Sequence, residues 1–215
     1  MEQRRDSATA YIILADGFET IEALTPLDVL RRCGVEVTTI SLNKTRAVRS
    51  SHGVTVEADA TMEDFMHNCN CCASGTGTGT NSSIAGSSTS ASSCLRQALI
   101  LPGGYPGYKN LCDSPEVGAL ITQFHKEGKL LCAICGAPTA LKANQICRGA
   151  AITCHTSVKE ELSDYYSILS SAVVKYMNII TGMGAGRSLE FAFAIAEALT
   201  SKEKVEEIKA KMEII

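Results

Sequence analysis

The sequence predicts an α/β sandwich, a single domain folded around a mainly parallel sheet. Short, compact apolar runs alternate along the chain with segments of helical periodicity. The first strand-helix-strand stretch, Ala10 to Leu42, has the length that a right-handed parallel crossover needs. At 215 residues, 45% hydrophobic and 20% charged, the chain can bury one sizeable core.

The first run, Ala10 to Leu14, reads as a strand, and Asp16-Gly17-Phe18-Glu19 follows with the spacing of a helix-starting capping box. Ile21, Leu24, Leu27 and Leu30 recur three apart and are assigned to the core face of that helix. Cys33-Gly34 ends it, and Val35 to Leu42 alternates like a strand. Further strands are expected at Ala98 to Leu101, Lys129 to Ile134 and Ala150 to Cys154, with helices at Glu116 to His125 and Gly136 to Ala143. The end, Ser201 to Ile215, sets Val205, Ile208 and Met212 on one face and reads as a docked helix.

One stretch departs from the pattern. Phe65 to Leu95 contains no Asp, Glu, Lys or Arg, and 16 of the 20 residues from Ser74 to Ser93 are Ser, Thr or Gly. So little apolar surface does not offset ordering entropy. A disordered low-complexity insertion is therefore expected at about 67–96, within one domain spanning 1–215.

A net charge of −3 gives no strong attraction for nucleic acid or an anionic membrane. The run Ala10 to Ala15 is too short to span a bilayer, and no signal-peptide cleavage pattern follows it. A cytoplasmic location is expected, with the nucleus also compatible. The ten cysteines are then expected to be reduced thiols, not a disulfide framework.

Chemistry concentrates at the ends of the expected strands. Lys129 to Ile134 runs into Cys135, then Gly136-Ala137, then a helix. A side chain at such a strand-to-helix turn is held out of the core, and amides at the helix start favour its thiolate. Cys132, three residues earlier, reads as an ordinary buried cysteine. Gly103-Gly104 ends another strand and lets backbone N–H groups approach a ligand as an oxyanion cradle. Glu19 and Glu22 stand three apart after the first strand, with Glu19 the better candidate for helix capping. His155 follows the strand ending at Cys154, where open α/β sheets place ligands.

Two clusters read as decoys. Cys69, Cys71, Cys72 and Cys94 lack the regular pairing of a structural zinc site, so no metal is expected. Gly182 to Gly186 lacks phosphate-loop spacing and a following lysine, and reads as the turn into a helix at Ser188.

In combination, Ile13 to Glu22, Leu101 to Gly104, Ala133 to Leu141 and Ser188 to Ile195 resemble the ThiJ/PfpI superfamily, and within it the DJ-one branch. The resemblance runs from about Tyr11 to Lys211 without the insertion. It implies a flavodoxin-like sandwich, a homodimer and a glutathione-independent glyoxalase or deglycase-type activity on methylglyoxal-like 2-oxoaldehydes or their glycated adducts. An oxidative-stress role through the same cysteine is also implied, and no cofactor. By this similarity Cys135 matches the nucleophile, Glu22 its carboxylic acid and His155 the active-site histidine. Gly104 matches a backbone donor beside the thiol, and Arg32 an arginine brought by the other subunit. Gly103, Gly136 and Glu19 complete the expected substrate-binding set.

The sequence also departs from the branch. Gly136-Ala137 replaces Ala-Gly, His52 an arginine and Tyr105 an asparagine, while Ser50 and Glu57 stand at accessory oxidisable cysteines. Redox sensing then falls mainly on Cys135. Gly136 lacks the histidine of the protease-like branch, and His155-Thr156-Ser157 is not the His-x-Glu of glutamine amidotransferases. The alternative function is a redox sensor or chaperone-like protein with little turnover.

Overall fold

The computed structural model describes residues 8–68 and 97–214. Its strands are β1 (Thr9–Leu14), β2 (Glu36–Ser41), β3 (Ala47–Arg49), β4 (Thr55–Glu57), β5 (Ala60–Thr61) and β6 (Gln97–Leu101). After these come β7 (Leu130–Ile134), β8 (Ala151–Ile152), β9 (Ser167–Ile168), β10 (Val173–Tyr176) and β11 (Ile179–Gly182). The helices are α1 (Thr20–Arg32), α2 (Met62–Asn68), α3 (Gly107–Asp113), α4 (Pro115–Lys126), α5 (Pro138–Ala143), α6 (Lys159–Leu162), α7 (Ser188–Leu199) and α8 (Lys202–Lys211). Most of the expected insertion, with Cys69, Cys71, Cys72 and Cys94, lies outside the described residues.

Seven strands form the central sheet in the order β10-β11-β7-β6-β1-β2-β5, all parallel except β10. Helices cover both faces, as the expected flavodoxin-like sandwich requires. Strand side chains therefore alternate between two cores. Ile12, Leu14, Ile100 and Ile134 meet residues of α1, α7 and α8; Ile13, Leu99, Leu101 and Leu131 meet those of α4 and α5. Burial on both faces is why these strands read as continuous apolar runs. Each buried Leu or Ile side chain contributes roughly 2 kcal/mol.

Several expectations hold in detail. Gly34, at φ 80°, ends α1, with its N–H on the Arg31 carbonyl and that of Val35 on Leu30. On α8, Val205 and Ile208 are buried. Others need correction. The capping box does not form: Glu19 makes no side-chain cap bond, and Asp16 instead accepts from the Arg49 N–H and the Asn43 side chain. The buried face of α1 is Glu22, Ala23, Pro26, Val29 and Leu30, while Ile21 is 47% exposed and Leu24 and Leu27 are half-buried. The expected strand at Ala150 to Cys154 survives as β8, which pairs only with β9, outside the central sheet. The place beside β7 belongs to β11, in a β10–β11 hairpin that the sequence reading did not identify.

Candidate active site

From β1 the chain runs outward through β2 and β5 and returns to β6 on the other side of β1. Such a reversal opens a crevice at the carboxyl ends of the two strands. Cys135 follows directly on β7, the neighbour of β6. Its φ is 65°, in the left-handed region that costs a non-glycine residue about 1–2 kcal/mol. Two backbone bonds hold that conformation: Cys135 N–H to the Gly182 carbonyl at 3.0 Å, and His155 N–H to the Cys135 carbonyl at 2.9 Å. The chain turns at once into α5, where the Thr139 hydroxyl donates to the Gly136 carbonyl at 2.8 Å. Cys135 is consequently half-buried, while Cys132 is fully enclosed.

Gly103 and Gly104 bring the end of β6 against this elbow. A Cβ on Gly103 would stand 2.6 Å from Glu22 Oε2 and 3.0 Å from Cys135 Sγ, so only glycine permits the approach. Gly104 has φ 89°, and a Cβ there would lie 2.3 Å from the Glu19 nitrogen. The Gly103 N–H donates to Glu22 Oε2 at 2.9 Å and so orients the carboxyl instead of serving an oxyanion. The backbone N–H groups of Gly104 and Gly136 lie by the Cys135 sulfur and favour its thiolate.

Glu22 is completely buried on the first turn of α1, and its Oε1 has no hydrogen-bond partner among the described residues. Burial pushes its carboxyl from 4.5 up to about 7, against the pull of hydrogen bonds from Cys135 and Gly103, and the charge of Glu19 adds to the rise. The Cys135 thiol is pushed up to about 12, first by burial and then by the Glu22 charge, with the Gly104 and Gly136 amides acting in the opposite direction. The amides favour the thiolate, as the sequence suggests, but burial beside a carboxyl outweighs them. Below about pH 7 both groups are protonated, and above it the carboxyl ionises while the thiol keeps its proton.

His155 reaches the site through its backbone bond to Cys135 and not from a central strand. Its exposed ring caps a short 3₁₀ turn, Nδ1 accepting from the Ser157 N–H at 3.2 Å and lying 2.8 Å from the Ser157 hydroxyl. With Nδ1 an acceptor, the neutral ring carries its proton on Nε2. Gly184, in the turn expected before Ser188, lies beside this ring: a Cβ there would be 3.4 Å from His155 Cδ2.

Glu19 sits at the rim, where Oε2 accepts from the Ser51 hydroxyl at 3.1 Å and lies 3.2 Å from His52 Nδ1. Arg32 is not brought to this site within the chain. It pairs with Asp28 at 2.7 Å, ten residues and roughly 15 Å along α1 from Glu22. Tyr108 was not foreseen; its ring packs on Gly136, where a Cβ would meet ring atoms at 2.7–2.9 Å. The tyrosines flanking Pro106-Gly107 are the signal that could have found it.

A family model, the DJ-1/PfpI family, matches residues 8–198. The chain belongs to the DJ-1/PfpI family. It is 34% identical over 203 residues to Protein dj-1beta of Drosophila melanogaster, spanning 94% of this chain and 95% of that one. The crystal structure of Drosophila melanogaster DJ-1beta superposes with a TM-score of 0.81 at 32% identity, covering 97% of this chain and 99% of the other. A third relative is Glutathione-independent glyoxalase DJR-1.2 of Caenorhabditis elegans, 35% identical over 139 residues, which span 56% of this chain and 74% of that protein. Members of this DJ-1/PfpI group include glyoxalase-, deglycase- and chaperone-type proteins. No helix among the described residues is long and apolar enough to cross a membrane.

Proposed function

We propose that the protein is a glutathione-independent glyoxalase or deglycase-type enzyme, acting through Cys135 on small 2-oxoaldehydes such as methylglyoxal or on their adducts. The observation that carries this reading is the pairing of Cys135, presented by left-handed backbone, with a buried carboxyl whose pKa lies near 7. A group titrating near the working pH is suited to moving protons in both directions. The name of the nematode relative supports the same chemistry.

Glu22 takes the thiol proton as the sulfur attacks the aldehyde carbon, and returns it to the new alkoxide, giving a hemithioacetal. The ionised Glu22 then carries the remaining hydrogen of that carbon, as a proton, to the neighbouring carbonyl carbon by way of an enediol. Nε2–H of His155 donates to a substrate oxygen from the open side. The first carbon is now a thioester and the second an alcohol, so one is oxidised as the other is reduced. Water cleaves the thioester, giving a 2-hydroxy acid and free Cys135. The N–H groups of Gly104 and Gly136, which favour the thiolate, stabilise the charge that develops beside the sulfur.

The test is lactate formation from methylglyoxal without glutathione; none from protein with reduced Cys135 would reject the reading. The second reading, a redox sensor or chaperone-like protein, draws on the same raised carboxyl, which when protonated can donate to a Cys135 sulfinate. Replacing His155 separates the two, because it damages turnover strongly and peroxide oxidation of Cys135 only weakly.

We also propose a cytoplasmic homodimer. Ile21 and Leu189, 47% and 41% exposed, lie on α1 and α7, which pack against each other. Burying that face against a second copy would carry Arg32 of one subunit toward the other's pocket.

A further inference from the structure

The mouth of the Cys135 site carries aromatic surface that the chemistry above does not use. Tyr105 is 72% exposed, and its ring centroid lies 6.2 Å from that of Tyr108, tilted by 58°. Tyr108 in turn lies on Gly136, the residue after the nucleophile. The two rings thus form a shelf reaching from the thiol elbow to solvent.

The shelf is held rigidly. Pro106 is clamped against Gly17, where a Cβ would stand 2.4 Å from the proline ring, and Gly107 is pressed as closely on Phe18. The Tyr108 N–H bonds to the Gly104 carbonyl at 2.9 Å, and the Asn110 side chain to the Asp16 carbonyl at 3.0 Å. An exposed aromatic on a loop this constrained loses little freedom when it binds, as a contact surface requires. Tyr105 stands two residues from Gly103, whose α-carbon environment touches Cys135 Sγ and Glu22 together. A planar group attached to a carbonyl carbon at the sulfur therefore has aromatic ring faces to stack on along this side.

We propose that Tyr105 and Tyr108 select substrates by stacking, making 2-oxoaldehydes with a planar aromatic substituent the preferred class over methylglyoxal. This rests on the glyoxalase reading only for turnover; the selection itself is a property of the pocket. With an aryl 2-oxoaldehyde the steps balance as before, one water being consumed and an aryl 2-hydroxy acid released.

Two ratios test the proposal in wild type and Tyr105→Ala. One is kcat/KM for phenylglyoxal over methylglyoxal. The other, independent of turnover, is the alkylation rate of Cys135 by phenacyl chloride over chloroacetone, each normalised to the same reagents with free cysteine. The wild-type ratios are expected to favour the aryl compound, and Tyr105→Ala to lower both by about fivefold, within the range an aromatic contact is worth. Tyr105→Phe should keep them, since the ring and not the hydroxyl is invoked. Ratios unmoved by Tyr105→Ala would overturn the shelf even if the protein turns over methylglyoxal. A fall in the alkylation ratio without any turnover would uphold the shelf while rejecting the glyoxalase reading.

Discussion

Glu22→Gln isolates the free energy stored in the buried carboxyl. The side chain is completely enclosed, and its pKa of about 7 against an ordinary 4.5 means that ionising it in the fold costs roughly 3 kcal/mol more than in the unfolded chain. Because the folded value is the higher one, the native state binds more protons than the unfolded state between these values. Stability then falls as pH rises from about 4.5 to 7, and stays lower above it. Glutamine keeps the acceptor for the Gly103 N–H and cannot ionise. The Cys135 thiol is also raised, but its window lies above pH 9 and does not overlap. Urea unfolding at pH 5 and pH 8 is the assay. The variant should match wild type at pH 5 to within about 1 kcal/mol, and exceed it at pH 8 by about 3 kcal/mol. An equal difference at both pH values would refute the reasoning.

Under the proposed mechanism the same proton sets the rate: below about pH 7 both Glu22 and Cys135 are protonated, so kcat/KM should fall roughly tenfold per pH unit below that point. A pH-independent rate between 5 and 8 would contradict this. Gly104→Ala forces a Cβ onto backbone at 2.3–2.6 Å and onto φ 89°, and should destabilise by about 3 kcal/mol, lowering Tm by roughly 6–12 °C. An unchanged Tm would show that the loop relaxes freely. Lys129 is buried at 2% exposure, 2.5 Å from Glu127 and 5.1 Å from the Phe124 ring centroid. Replacing a buried ion by a similar apolar chain offsets its desolvation, so Lys129→Met should change stability by less than about 1 kcal/mol or raise it. A loss above about 2 kcal/mol in urea unfolding would refute that.

Where local signals and the core agreed, the fold could be read directly from residues. The runs at β1, β6 and β7 are apolar because both sheet faces are covered, and Gly34 marks the end of α1 by its left-handed backbone. The elbow at Cys135 was legible for a related reason: an apolar strand meeting small residues and then Pro138 leaves few other conformations. The helix face of α1 was misjudged because its core stripe contains Glu22 and Pro26, whereas apolar Ile21 is left on the surface. A burial pattern that inverts hydrophobicity cannot be recovered from periodicity, and here it coincides with the carboxyl proposed to act in catalysis. The β10–β11 hairpin turns at Met177, which adopts φ 51° without the glycine that usually signals such a turn. His155 was expected at the end of a central strand, whereas its link to Cys135 is a backbone bond, and pairing of that kind leaves no mark in side-chain sequence. The high pKa of the thiol likewise depends on burial that only the assembled fold supplies.

The decisive measurement is methylglyoxal consumption without glutathione by wild type and Cys135→Ser, compared at matched folding. Chemistry at Cys135 predicts measurable wild-type turnover and a loss of at least about a thousandfold in the variant, because serine is a far weaker nucleophile beside the same carboxyl. Turnover that survives in Cys135→Ser, or is absent from wild type with its thiol reduced, would contradict it.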